Sequence, residues 1–164
     1  MKARNLVGSM ALFDRLPLTK ARMLLHPTDL TEVSEKAFAL AVSLAKQHGA
    51  ELTVAYVLPP LTPIFESGSP FRPEAEIALA RLAEVAAEFG VSARRVLIDS
   101  TAPVSHSIVR CAEDLHADMI VMGTNSKTGI SRWLVGSHAA RVIARAQCPV
   151  VVVRESAANR DPTH

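Results

Sequence analysis

Hydrophobic and polar positions alternate along this chain with two periods, and the period changes at regular intervals from about residue 21 onwards. Short apolar runs are typical of strands, and the chain contains five of them: ARMLLH, ELTVAYV, ARRVLID, DMIVMG and CPVVVVRE. Between these runs, apolar residues recur every three or four positions, which predicts four amphipathic helices. The helical positions expected to face a core are Val33, Ala37, Leu40, Ala41, Leu44, Ala45, Ala75, Leu79, Leu82, Ala86, Phe89, Val104, Ile108, Cys111, Leu115, Ala139, Val142, Ile143 and Ala146.

Glycine and proline residues mark the expected ends of these elements. Gly49 and Gly90 are expected to end the first two helices, and Pro103 to begin the third. Pro27 follows the first apolar run and cannot continue a buried strand, because it has no N–H for the ladder. A segment rich in proline, glycine and serine, LPPLTPIFESGSPFRP, is expected to form a long loop before the second helix.

Strands that alternate with helices predict a parallel sheet built from right-handed crossovers, with helices on both faces. The fourth run, DMIVMG, is almost wholly apolar, which is typical of a strand covered on both faces. In such sheets a ligand binds beyond the carboxyl ends of the strands, where the strand order reverses. Here those ends carry the segments HPTD, YVLPP and MGTNS. The pattern therefore predicts an α/β domain with a site at this edge.

The size and charge of the chain limit the classes of protein to consider. With 164 residues, 49% of them hydrophobic and 4% aromatic, it is long enough for one domain with a core. We expect this domain at residues 20–155, between an N-terminal extension at residues 1–19 and a flexible tail at residues 156–164. A formal net charge of +2 gives no reason to expect a nucleic acid or an anionic membrane as partner.

The expected location follows from hydropathy and cysteine usage. No stretch reaches the roughly 18 apolar residues of a membrane span, and charged residues between positions 14 and 22 interrupt any signal-peptide pattern. Cys111 and Cys148 lie in apolar periodic segments without metal-ligand spacing. Buried free thiols are typical of a reducing compartment, so we expect a cytoplasmic protein.

The segment GTNSKTGISRWLVGS, from Gly123 to Ser137, separates the fourth strand from the fourth helix. Gly123 permits a sharp turn and a close approach of a ligand to the backbone, and Gly136 with Ser137 stands at a helix start that suits an anion. The loop between them supplies further donors and positive charge from Asn125, Ser126, Lys127, Thr128, Ser131 and Arg132. The familiar motifs GxGxxG and GxxxxGK[ST] are absent. The alternatives are an anion site and a plain connection capped by Ser137.

This segment resembles the G-x2-G-x9-G-[ST] motif of nucleotide-binding members of the universal stress protein family. Gly123, Gly136 and Ser137 match the motif, whereas Ser126 replaces its second glycine. The segments HPTDLTEVSEKAFALAVSLAKQHGAELTVAYV, ADMIVMGT and ARAQCPVVVV also resemble the family, so the likeness covers roughly residues 21 to 154. It implies a single-domain, five-stranded parallel sheet of order 3-2-1-4-5. It also implies a homodimer paired through the last strand, Pro149–Val153.

The resemblance further implies a bound adenine nucleotide, with ATP as first candidate, AMP and ADP as alternatives, and Mg²⁺ as a companion ion. Asp29 matches the residue that contacts the base and ribose, and its alternative role is a helix-entry acid near Glu32. A serine at position 126 costs about 1 kcal/mol if the family's glycine has positive φ. The positions that match the family's nucleotide contacts are Pro27, Thr28, Asp29, Val57, Met122, Gly123, Asn125, Ser126, Gly136, Ser137 and His138.

The resemblance implies two functions, which stay open. The first is a dimeric regulatory module of the stress response that binds an adenine nucleotide and hydrolyses it slowly at most, because no general base or acidic metal cluster accompanies the loop. The second is an interaction module without nucleotide, in which side chains such as Trp133 fill the cleft. An adenylating ligase or a nucleotidyltransferase is disfavoured, because HPTDLT lacks the glycines of the former and no HxGH run exists.

Overall fold

The computed structural model describes residues 21–59, 69–124 and 136–154. The expected extension at residues 1–19 and the tail at residues 156–164 lie outside the described residues and stay predictions. The described elements are β1 (Met23–Pro27), α1 (Glu32–His48), β2 (Glu51–Val57), α2 (Arg72–Glu88), β3 (Ala93–Ile98), α3 (Val104–Asp114), β4 (Met119–Thr124), α4 (Ser137–Arg145) and β5 (Val150–Arg154).

The five strands form one parallel sheet with the order β3-β2-β1-β4-β5. From β1 the chain continues through β2 to β3 at one edge of the sheet, and then returns to place β4 on the other side of β1. The strand order therefore reverses between β1 and β4. The predicted fold class and strand order are therefore confirmed. Within the described ranges, no helix is long and apolar enough to cross a membrane.

Helices cover both faces of the sheet because the central strands are apolar on both sides. Leu24 and the neighbouring Leu25 are fully buried on opposite faces. Leu24 belongs to the core that includes Phe38 of α1 and Leu79 of α2, whereas Leu25 belongs to the core with α3 and α4. Alternation along a strand sends successive side chains to opposite faces, which explains why a two-sided core needs near-continuous apolar strands.

Most of the expected helical boundaries are confirmed, whereas three expected core positions are wrong. Gly49 follows α1 with a left-handed φ of 61°, as a C-terminal glycine should. Leu40, Phe89 and Ile143 are 36%, 55% and 47% exposed, although their spacing predicted burial. In α1 the buried stripe includes Phe38 instead, which places Leu40 at its exposed edge, and Phe89 lies beyond the last turn of α2.

Candidate functional site

A cavity of about 470 Å³ opens at the carboxyl edge of the sheet, at the point where the strand order reverses. Its size falls in the usual range of small-molecule sites, and its position is the one expected for a parallel α/β sheet. Its lining combines apolar side chains with hydroxyl groups and backbone. The lining residues are Pro27, Thr28, Asp29, Thr31, Tyr56, Val57, Val104, Ile108, Met122, Gly123, Thr124, Gly136, Ser137, His138 and Ala139.

The backbone pairing of the two central strands ends before the carboxyl edge of the sheet, where Pro27 cannot continue it. The pairing of β1 with β4 extends to Leu25 and Ile120. Pro27, two positions beyond Leu25, has no N–H to donate to β4. The carbonyl of Val121 accepts a hydrogen bond of 2.8 Å from Nδ1 of His26 instead. A side chain thus replaces a ladder bond next to Pro27 and Met122, which line the cavity.

The environment of His26 keeps its imidazole neutral. The residue is fully buried, and its ring lies 5.7 Å from the ring of Phe38. A carbonyl only accepts, so the proton of the neutral ring is on Nδ1, and Nε2 has no partner among the described residues. Burial lowers the pKa of His26 to about 4, although the bond to Val121 and the charge of Asp29 act in the opposite direction.

Thr28 connects the end of β1 to the start of α1. Its N–H donates to the carbonyl of Ala55 at 2.8 Å, which holds it beside β2. Its hydroxyl oxygen accepts from the N–H of Leu30 at 3.1 Å and from the hydroxyl of Ser34 at 2.9 Å. Leu30 has a left-handed φ of 61°, so the chain turns sharply here. These bonds fix the segment that carries Asp29 to the rim of the cavity.

Asp29 is an exposed carboxylate that orients the entry of α1. Its Oδ1 accepts from the N–H of Thr31 at 3.1 Å and from the hydroxyl of Thr31 at 2.6 Å. Thr31 is the N-cap residue and accepts from the N–H of Ser34 at 3.4 Å. Glu32 pairs with Lys36 at 2.8 Å. The helix-entry contacts named as the alternative are therefore present, and the role of Asp29 toward a nucleotide stays a prediction.

Gly123 is required by the packing of α1 against β4. It lies inside β4, paired with Val153, so the sharp turn expected at this glycine is wrong. A Cβ at this position would lie 3.0 Å from the backbone of Val33 and Ser34 in the first turn of α1. The absence of a side chain lets the start of α1, with Thr31 at its cap, approach the end of β4. A ligand-facing role for Gly123 stays a prediction.

Among the residues that the structure describes, no side chain caps the start of α4. Gly136 is its N-cap residue, and Ser137 is its first helical residue, so the expectation that Ser137 caps this helix is wrong. The N–H of Ala140 is bonded to the carbonyl of Gly136 at 2.9 Å. The three N–H groups before it have no acceptor within a helix. Because this end lines the cavity, donors and the positive end of the helix dipole meet there.

Nine of the eleven predicted site residues lie around this one cavity, and Asn125 and Ser126 lie outside the described residues. The cavity also contains residues that the motif did not indicate. Val104 and Ile108 enter from the first turns of α3 and give the cavity an apolar wall. Their helical spacing predicted burial, and that signal could not distinguish a core position from a cavity wall. Thr124 is a further lining residue.

The described residues do not form a metal site. Asp29 is the single carboxylate among the lining residues, and His138 is the single imidazole. Over residues 21–59, 69–124 and 136–154, no group of three His, Cys, Asp or Glu side chains is placed to hold an ion. This donor set does not fit a Mg²⁺ ion held by the protein alone.

Comparisons with known proteins agree with this fold. A universal stress protein of Methanocaldococcus jannaschii is 37% identical over 137 residues, which cover 79% of each chain. The structure of a universal stress protein from Lactobacillus plantarum is similar with a TM-score of 0.69 and 25% identity, covering 82% of this chain and 99% of that one. The universal stress protein from Archaeoglobus fulgidus in complex with dAMP gives a TM-score of 0.65 at 22% identity, covering 80% and 96%.

The family assignment follows from these relatives and from a match over nearly the whole described domain. The sequence model of the Universal stress protein family matches residues 21–154. These limits contain all five strands and four helices of the sheet. The chain therefore belongs to the universal stress protein family.

Proposed function

We propose that this chain binds an adenine nucleotide, with ATP as first candidate, and acts as a regulatory module of the stress response. The observation that carries the proposal is the composition of the cavity, which combines an apolar wall with the start of α4, where no described side chain forms a cap. A nucleotide needs both, because its base is flat and largely apolar at its faces whereas its phosphates are anionic. The dAMP complex of the Archaeoglobus fulgidus protein supports a ligand of this class.

The base and ribose are assigned to the β1, β2 and α3 side of the cavity. Val57, Met122 and Ile108 offer apolar contact for the faces of the base. Asp29 is the acceptor for ribose hydroxyl groups, because a carboxylate accepts two such bonds more strongly than a neutral group does. Pro27 and Thr28 form the rim beside it.

The phosphates are assigned to the start of α4, where Ser137 and His138 line the cavity. The N–H groups of the first turn and the dipole favour an anion there, and each such contribution is typically 0.3–1 kcal/mol at an exposed helix end. Asn125 and Ser126 complete this side in the family's motif and remain part of the proposal. Ser126 can offer its N–H as glycine does, and its hydroxyl as well.

Binding, rather than turnover, is the proposed activity. Asp29, the single carboxylate among the described lining residues, is engaged by Thr31 on one oxygen, and fast phosphoryl transfer needs positioned metal ions and a positioned base or water. Any hydrolysis is therefore expected to be slow. Mg²⁺ is proposed only as an ion that enters with the phosphates.

A homodimer through β5 is also proposed. The residues Val150–Val153 of this edge strand are half-buried valines, whereas the opposite edge strand β3 exposes Arg94 and Arg95. Charged residues protect an edge from pairing, and a bare apolar edge invites it. A second copy of the chain, paired along Pro149–Val153, would cover these valines.

The free thiols of Cys111 and Cys148 support a reducing, cytoplasmic location.

The alternative is an interaction module that binds no nucleotide and acts through its dimer surface. Isothermal titration calorimetry distinguishes the two functions. In this experiment ATP, ADP, AMP and GTP are each titrated into the purified protein. We expect saturable binding of the adenine nucleotides and weaker binding of GTP. The absence of binding by all four at millimolar concentration would favour the interaction module.

A further inference from the structure

We propose that Thr124 is a positioning residue of this site, which holds the start of α4 against the end of β4 and so places the donors that meet the phosphates. The proposal rests on the proposed nucleotide-binding function. Thr124 is the last residue of β4, and Gly136 directly precedes α4. The N–H of Gly136 donates to the hydroxyl oxygen of Thr124 at 2.8 Å, across twelve positions of sequence.

Thr124 is a rigid attachment point. Its side chain is 6% exposed, and its backbone is paired with Arg154 in the β4–β5 ladder. A β-branched side chain has few χ1 rotamers, so the position of the hydroxyl follows closely from the position of the strand. The sheet thus determines where Gly136 lies, although Thr124 and Gly136 are twelve positions apart in the sequence.

The bond also decides which donors remain for a ligand. The N–H of Gly136 is used inside the protein, so it is not one of the donors to the phosphates. The following groups belong to Ser137, His138 and Ala139, whose N–H groups precede the first intrahelical bond of α4. Their positions depend on the position of Gly136, because they belong to the helical turn that begins there.

This role depends on the hydroxyl of Thr124 as an acceptor, and not on the volume of its side chain. Thr124→Val keeps the shape and removes the acceptor, whereas Thr124→Ser keeps the acceptor and removes a methyl group. Thr53 offers a matched control, because it is also a buried threonine of the sheet, on β2, outside the residues that line the cavity. Thr53→Val makes the same chemical change at a distance from α4.

Two measurements test the proposal on the full chain: hydrogen exchange of the Gly136 amide without nucleotide, followed by NMR, and the ATP dissociation constant by calorimetry. In Thr124→Val we expect faster exchange at Gly136 and ATP binding weaker by about tenfold. Thr124→Ser and Thr53→Val are expected to resemble wild type in both measurements. Circular dichroism checks that each variant is folded.

Wild-type affinity for ATP in Thr124→Val would overturn the proposal, as would equal losses in Thr124→Val and Thr124→Ser. If the wild type itself binds no ATP, the proposed function fails. The hydrogen exchange of the Gly136 amide then tests by itself whether Thr124 holds the start of α4. Faster exchange confined to Thr124→Val would still support the attachment of α4 by Thr124, and unchanged exchange would overturn it.

Discussion

His26 donates a hydrogen bond from Nδ1 to the carbonyl of Val121, 2.8 Å away, at the level of the sheet where Pro27 has no N–H for that carbonyl. The bond joins the two central strands next to Pro27 and Met122, which line the cavity. The ring is fully buried, and burial disfavours its charged form, which lowers the pKa of His26 to about 4 although the bond itself favours the charged form. The stability of the fold is therefore linked to pH through this residue.

Acid is expected to destabilise the protein through His26. The pKa of the group in the folded state lies below its value of 6.5 in an unfolded chain, so the unfolded state binds the proton more readily between these values. Between pH 7 and pH 5 the free energy of unfolding should fall by about 2 kcal/mol from this group. Urea unfolding at both pH values measures the effect. His26→Asn keeps a donor but does not titrate, so this variant should lose the pH-dependent part of the free energy of unfolding that is assigned to His26. The control His106→Gln changes an exposed histidine and should keep the pH dependence. An unchanged pH dependence in His26→Asn would contradict the assignment to His26.

Gly123→Ala is expected to destabilise the protein by about 1–3 kcal/mol, because the new Cβ would press on the backbone of Val33 and Ser34. The clash involves main-chain atoms, so rotation of a side chain cannot relieve it. Thermal unfolding measures the loss. Ala87→Ser, which adds one atom on the exposed face of α2, is the control and should unfold like wild type. Equal stability of Gly123→Ala and wild type would show that α1 does not pack this closely on β4.

Asp29→Asn separates the two roles of Asp29. Asparagine keeps an oxygen for Thr31, so the cap of α1 and the stability should remain near wild type. The second carboxylate oxygen is replaced by a donor, so ATP affinity should fall about tenfold if that oxygen accepts from the ribose. Asp29→Ala should lower both quantities. Calorimetry and urea unfolding measure them, and wild-type affinity in Asp29→Asn would leave Asp29 with its helix-entry role alone.

Gly136→Asp is expected to stabilise α4 and to weaken nucleotide binding. Aspartate is a better N-cap than glycine by a few tenths of a kcal/mol, and its charge favours the helix start by about 0.3–1 kcal/mol. The same carboxylate would occupy the donors and repel the phosphates. Gly136→Asn adds a neutral cap and should weaken binding less. Thermal unfolding and ATP titration test the pair, and tighter ATP binding by Gly136→Asp would place the phosphates elsewhere.

Val152→Pro is expected to weaken the proposed dimer. The N–H of Ile120 donates to the carbonyl of Pro149, so alternation directs the backbone groups of Val152 away from β4, toward the free edge. Proline at this position removes a donor from the edge without removing a bond to β4. Sedimentation equilibrium should give a dimer for wild type and for Val152→Thr, and a monomer at the same concentration for Val152→Pro. A dimer in Val152→Pro would exclude β5 as the interface.

The sequence pattern was sufficient for the alternation of strands and helices and for the edge that carries the cavity, because both depend on short-range periodicity and on the order of elements. The strand order was implied by the family resemblance. The contacts that shape the cavity were not predictable in the same way. The bond from Gly136 to Thr124 spans twelve positions and leaves no periodic trace. His26 was predicted only as a strand residue. Its bond to Val121 depends on Pro27, which has no N–H and so leaves one carbonyl of β4 without a donor from β1. The sequence does not show which carbonyl this is.

The role of Gly123 shows the same limit. Its position before a polar loop indicated a turn, which is wrong, and a ligand contact, which stays a prediction, whereas the close approach of the backbone of Val33 and Ser34 was not indicated. A glycine that admits a helix and a glycine that admits a ligand look alike in sequence. Asn125 and Ser126 stay predictions from the family's motif.

Native mass spectrometry can show directly whether the protein binds an adenine nucleotide. The protein is purified without added nucleotide, and is then incubated with millimolar Mg-ATP. We expect a dimer that carries the mass of an adenine nucleotide, either as purified or after incubation. The added mass should be absent from Gly136→Asp under the same conditions. A wild-type dimer that stays empty after incubation would contradict nucleotide binding and would leave the dimer surface as the place of function.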